Sequence, residues 1–191
     1  MRAEMILVLM LLLAAPAWAA HEKGMVGPYN VSFDMNTTMN YEVIVEMPSS
    51  GVTASGVQFT RYNVSIESAD NFAWLVLTRY NDSMLSSIDA NAEIVLAALQ
   101  GSGCDQPNIY QPLIDGQPGV LGNCKLEDQQ TGQGSYEQGA LIVAASYSPD
   151  AAVQDNGKYM GRTNCRIIST YPWETIRDLL YTLHVEEPEP N

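Results

Sequence analysis

The chain carries little with which to do chemistry. Its only two histidines, His21 and His184, both stand near the ends of the 191 residues. A Ser-His-Asp or Cys-His site would have to recruit one of them. There is no G-x-S-x-G, no H-E-x-x-H, no P-loop and no dinucleotide-binding glycine pattern, so the commonest hydrolase, metalloprotease and nucleotide-dependent classes have no support. No metal cage or cofactor loop can be read, and no cofactor is expected. Basic residues are scarce as well: 9 Lys and Arg stand against 22 Asp and Glu, for a net charge of −13. Such a surface repels phosphates, which argues against nucleic acid and against docking on anionic lipid. Past the first 20 residues no apolar run reaches the length that spans a bilayer. Three cysteines allow one internal bridge and leave one thiol.

What is present points to export. Arg2 opens a modest positive segment, residues 5–15 are an unbroken apolar run, and Ala17-Trp18-Ala19 supplies a small-x-small cleavage pattern. Residues 1–19 therefore read as a signal peptide, followed by one domain over 20–185. A loose acidic tail, Glu186-Glu187-Pro188-Glu189-Pro190-Asn191, closes the chain. Residues 21–27 also read as loose. Four N-x-[ST] sequons follow the signal, at Asn30, Asn36, Asn63 and Asn81, which makes these four the N-glycosylation candidates. A secreted or cell-surface protein is the expectation.

The first half reads as strands. In residues 29–35, Tyr29, Val31, Phe33 and Met35 alternate with Asn30, Ser32 and Asp34. Residues 41–47 and 58–68 repeat the pattern less strictly. Period-two alternation marks a strand with one wet face. Asn30, Asn36 and Asn63 fall on the polar parity, where a glycan would need to be. Residues 72–77 (Phe-Ala-Trp-Leu-Val-Leu) and 140–145 (Ala-Leu-Ile-Val-Ala-Ala) are apolar on both parities. Both are expected to be buried on both faces of a covered sheet.

Two helices are expected to do the covering. Ser86-Ser87-Ile88-Asp89 resembles a capping box, Ile88, Ala92, Val95, Leu96 and Leu99 follow at helical spacing, and Gly101 stops the run. The second helix starts at Pro172, with Trp173, Ile176, Leu180 and Leu183 as its stripe. Between the helices, residues 109–114 and 120–126 flank Asp115-Gly116-Gln117-Pro118-Gly119, a hairpin signal. If Ile114 pairs with Val120, Tyr110 faces Cys124, and Cys104 enters from the same end. The favoured bridge is thus Cys104–Cys124, with Cys165 as the free thiol. The whole reads as α+β: a mostly antiparallel central sheet covered by two main helices, an α/β/α sandwich.

The order of these elements resembles the PsbP-like fold family. The residues that carry the likeness are Ile114-Asp115-Gly116-Gln117-Pro118-Gly119, then Ala140-Leu141-Ile142-Val143, then Cys165-Arg166-Ile167-Ile168-Ser169-Thr170 with residues 176–185. The resemblance implies a binding or assembly role and maps no functional residue onto this chain.

The expected function is a non-catalytic binding or assembly module whose partner is another extracellular or envelope protein. Tyr147, Tyr159 and Met160, around the loop 149–164, are the candidate contact residues, since aromatic anchors in a polar rim suit recognition. Two alternatives stay open. One is a small extracellular enzyme built on carboxylates, which predicts a deep pocket with converging acids. The other is a surface-layer or filament subunit joined through Cys165 or an edge strand.

Overall fold

The computed structural model describes residues 20–126, 140–153 and 159–187, with the side chains of 83–86, 153 and 159 left aside. Residues 1–19, which read as a signal peptide, and the end of the acidic tail beyond Glu187 lie outside the described residues.

The molecule is mostly β, with 54% strand against 17% helix. Thirteen strands are described: β1 Ala20–Val26, β2 Tyr29–Met35, β3 Glu42–Val45, β4 Ser49–Val52, β5 Gln58–Glu67, β6 Phe72–Ser86, β7 Asn108–Tyr110, β8 Leu113–Ile114, β9 Gln117–Lys125, β10 Leu141–Tyr147, β11 Ala152–Val153, β12 Tyr159–Ser169 and β13 His184–Glu186. Two helices join them, α1 Ile88–Gly101 and α2 Trp173–Thr182. The large sheet runs β3-β5-β6-β12-β10-β9-β7 and a second, three-stranded sheet runs β1-β2-β13. All pairings are antiparallel, and the large sheet curls into a half-barrel.

This corrects the expected α/β/α sandwich. The two helices do not cover the sheet between them. The inner face of the large sheet is covered mainly by the small sheet, with α2 beside it. Tyr29, Val31, Phe33 and Met35 of β2 enter a core with Val64, Ile66, Leu75, Leu77, Val143, Ala145, Cys165 and Ile167. Ile176, Leu179, Leu180 and Leu183 from α2 and its end complete it. The reason is that segments with weak local patterns pair once β2 is in place. Residues 20–26, expected to be loose, form β1 along β2, and residues 184–186 form β13 along its other edge. Each large aliphatic side chain fully buried in this core contributes about 1.5–3 kcal/mol.

Helix α1 packs on the opposite, outer face, over β9 and β10. Val95 and Leu99 meet Val120, Cys124, Ile142 and Ala144 there. Its cap is Ser87, one residue later than the capping-box match begins, with the hydroxyl accepting from the Ala90 N–H. Gly122 admits the helix, because a Cβ there would press on Leu99, Val95 and Ile109. The hairpin is tighter than its five-residue signal: Ile114 pairs with Gln117 across Asp115-Gly116. Both turn residues are left-handed, at φ 53° and 71°, which suits a two-residue hairpin. Tyr110 consequently faces Leu121 and not Cys124. Cys104 and Cys124 still meet, with Cα atoms 6.3 Å apart, a separation compatible with a disulfide.

The two doubly apolar segments part company. Strand β10 is buried on both parities, from Ile142 to Tyr147. Strand β6 is not. Ala73, Leu75 and Leu77 enter the core, but Phe72 and Val76 on the other parity are half-buried and Trp74 is 47% exposed. The expectation of two-sided burial fails for β6 because α1 stops short of it.

Candidate functional site

The uncovered half of the outer face is the most distinctive surface in the molecule. Cross-strand register lines up its residues. Ile168, Trp74 and Ser65 form one row, Arg166, Val76 and Asn63 the next, then Asn164, Thr78 and Arg61, then Tyr80 and Phe59. Residues directly opposite in antiparallel strands share a face, so these side chains make one strip. Phe72 stacks on Trp74 with ring centroids 4.6 Å apart, and Phe59 meets Tyr80 edge-on at 6.2 Å.

Arg61 and Arg166 flank this strip diagonally across β6. The Arg61 guanidinium lies 4.7 Å from the centre of the Phe59 ring. Among the described residues, neither arginine has a carboxylate partner or a hydrogen bond. Partial desolvation by its neighbours, and next the Arg61 charge, hold the exposed Arg166 guanidinium below its ordinary pKa. Glu46 reaches onto the same strip, where it accepts from the Asn63 amide at 3.0 Å and the Ser65 hydroxyl at 3.2 Å and makes no ion pair with either arginine. In a chain of net charge −13, two unpaired guanidiniums side by side are anomalous. The arrangement can hold one anionic group between the arginines while flat apolar surface packs on the rings.

The glycosylation candidates lie on accessible faces. Asn36 and Asn81 are exposed, donating from their amides to Asp178 and Gln58. Asn30 is half-buried on the outer side of the small sheet. Asn63 sits inside the aromatic–arginine strip, bonded to Glu46. The contact candidates fare differently. Tyr147 is fully buried in the core and cannot offer contact surface. It lies on the inner parity of β10, where its hydroxyl faces the Cys165 thiol and the Asp115 carboxylate without a partner in hydrogen-bond geometry. Met160 is 39% exposed, and the side chain of Tyr159 lies outside the described residues. Cys165 is unpaired and buried, and burial drives its thiol pKa well up, which makes it unreactive.

One cluster has catalytic character. Asp115 accepts from the His184 ring, Nδ1 to Oδ1 at 2.8 Å, and from the Val185 N–H at 2.9 Å. This bond raises the His184 pKa above its ordinary value. Carboxylate and imidazole thus form two parts of a triad, and Ser32 stands opposite His184 in the strand register. Ser32 makes no hydrogen bond to the ring, however, and the His184 side chain is 59% exposed, with nothing to exclude water from it. No pair of acids converges in the cleft of about 530 Å³ beside the cysteine pair, where Asp105 is the only acid among the described lining residues.

Sequence reasoning missed Arg61, Arg166 and Trp74. The signal was there in Phe72-Ala-Trp-Leu-Val-Leu, where a bulky indole stands amid small and aliphatic neighbours. Among the described residues no helix is long and apolar enough to cross a membrane. No protein-family model, no curated protein and no solved structure matches this chain, so these comparisons neither support nor refute the PsbP-like likeness.

Proposed function

We propose that this chain is a secreted or cell-surface, non-catalytic binding module that takes its ligand on the open half of the outer sheet face. The observation that carries this reading is the Arg61–Arg166 couple, without a carboxylate partner among the described residues, set among Phe59, Phe72, Trp74 and Tyr80. A protein gains nothing in stability from leaving an exposed indole and two like charges together. Binding is what such a surface is suited to, through aromatic anchors and charge-assisted hydrogen bonds. The cysteine pair at bonding distance fits an oxidising exterior. The carboxylate-enzyme alternative is weaker, since the acids form no paired site among the described residues. The subunit alternative has no joint at Cys165, which is buried.

Binding of the fluorescently labelled mature protein to the intact exterior of its native cells tests the reading. Trp74→Ala should abolish most of the binding, whereas Tyr181→Ala, an exposed aromatic on α2, should leave it unchanged. Equal binding by both variants would sink the assignment to this face.

A further inference from the structure

We infer that the ligand of this face is an extended polysaccharide in which uronate sugars alternate with neutral ones. The inference rests on the binding role proposed above and specifies its chemistry. Three features of the strip select this class.

First, the two guanidiniums are close enough to feel each other and, among the described residues, neither has a carboxylate partner. They make a seat for a single carboxylate, which an arginine pair can grip with several N–H donors. Second, the ring surface is apolar. Phe72 and Trp74, with the half-buried Val76, follow one another along β6 on this face, and the apolar C–H face of a sugar ring packs well on such a platform; the one acid that reaches the strip among the described residues, Glu46, is held by Asn63 and Ser65. Third, the strip runs along β6 from Phe72 to Tyr80, about 26 Å at strand spacing, and is not an enclosed pocket. An open strip passes the interior of a chain, whereas a terminal sugar needs a pocket.

Charge density narrows the choice further. The whole chain carries −13, which repels a dense polyanion at long range. A ligand with isolated carboxylates gains the local seat and suffers less of that repulsion. Across β6 the backbones of Arg61 and Arg166 lie two strand spacings apart, roughly 10 Å, a gap that two extended arginine side chains can close on one carboxylate. An acidic polypeptide would supply the carboxylate but not the ring faces.

The test is calorimetric titration of the mature chain, before and after enzymatic removal of N-linked glycans, because Asn63 lies within the strip. The probe is a hyaluronate octasaccharide. Chitohexaose serves as the neutral arm, heparin as the dense-charge arm and poly-glutamate as the polypeptide arm. Hyaluronate should bind, and Arg61→Gln with Arg166→Gln should weaken it by about tenfold or more, as should Trp74→Ala, with the melting transition retained. Chitohexaose binding as tightly as hyaluronate would overturn the carboxylate seat, and heparin binding more tightly would overturn the sparse-charge argument. Poly-glutamate binding alone, lost in the same variants, would overturn the sugar and leave the binding role standing. Hyaluronate binding that ignores all three substitutions would remove both the inference and the face. Silence towards every probe would overturn the inference alone, since cell-surface binding of Trp74→Ala reads the role separately.

Discussion

Strands β10 and β6 carry nearly the same message in sequence and opposite ones in the fold. Each is apolar on both parities. In β10 the outer parity is Ile142, Ala144 and Ser146, small or slender side chains on which Val95 and Leu99 of α1 can settle. In β6 it is Phe72, Trp74 and Val76, with Arg166 and Arg61 on either side. A helix laid on that half would meet an indole and two long cations. The contrast teaches that apolar character on a strand is not one property. Small aliphatic side chains ask to be covered by the same molecule, and large aromatic ones beside arginines suit a ligand that comes and goes.

A matched pair of substitutions in one sheet row tests this contrast hardest. Ala144 and Trp74 both pair with Ile168, from opposite sides. Ala144→Asp places an unpaired carboxylate beneath α1 and should cost about 4 kcal/mol or more, enough to abolish a cooperative thermal transition. Trp74→Asp should cost about 1 kcal/mol, since its site is half in water and lies beside Arg166. Comparable losses by urea denaturation would erase the distinction between the strands.

Cysteine removal should come next in size. Cys104 and Cys124 lie under the covered half, 20 residues apart in sequence. Replacing both by Ser should lower stability by about 3 kcal/mol if they are bonded in the native protein. Chemical denaturation in oxidising and reducing buffer would show the same gap for the parent and none for the double variant.

The third prediction has the opposite sign. Arg61→Met with Arg166→Met removes two like charges that have no carboxylate partner among the described residues and adds apolar area to the strip. Stability should be unchanged or rise by up to about 1 kcal/mol, and the melting temperature should depend less on salt. A clear loss of stability would mean that the arginines are structural, which would blur the contrast with β10.

The smallest effect lies outside both strands and serves as a reference. The bond to Asp115 raises the folded-state pKa of His184 above its ordinary 6.5. Its contribution is therefore full below pH 6.5 and fades as pH rises through the raised value. Glu186 and Lys23, the other charges facing the ring, act in opposite directions. The melting temperature of the parent should fall slightly more from pH 6 to pH 8.5 than that of His184→Gln. Identical slopes would show that the clasp is not held in solution.

Much of the fold was legible because the responsible forces are local. The alternation of Tyr29, Val31, Phe33 and Met35 set β2 and its buried parity. Helical spacing set α1 and α2 to within a few residues, and Pro172 and Gly101 bound them. The cysteine pair followed from both residues lying at one end of the hairpin, although the register used to reach it was wrong. The candidate site was far less legible. Asp115 and His184 are 69 residues apart, and no spacing rule connects them. Arg61 and Arg166 are brought together only by β6 passing between β5 and β12. Tyr147 stood beside a loop in sequence and lies in the core, because its parity on β10 points inward.

The sequence by itself determined the strands with a strong local pattern, such as β2 and its buried parity, and the two helices, while β1 and β13 formed only by pairing with β2. Only the tertiary structure decided which doubly apolar strand would be covered. The reason is geometric. Helix α1 is about 10 Å across and neighbouring strands lie about 4.8 Å apart, so one helix shields only two or three strands. The large sheet has a path of seven. Part of its outer face had to stay bare, and where α1 lands placed that bare part over Trp74, Arg61 and Arg166.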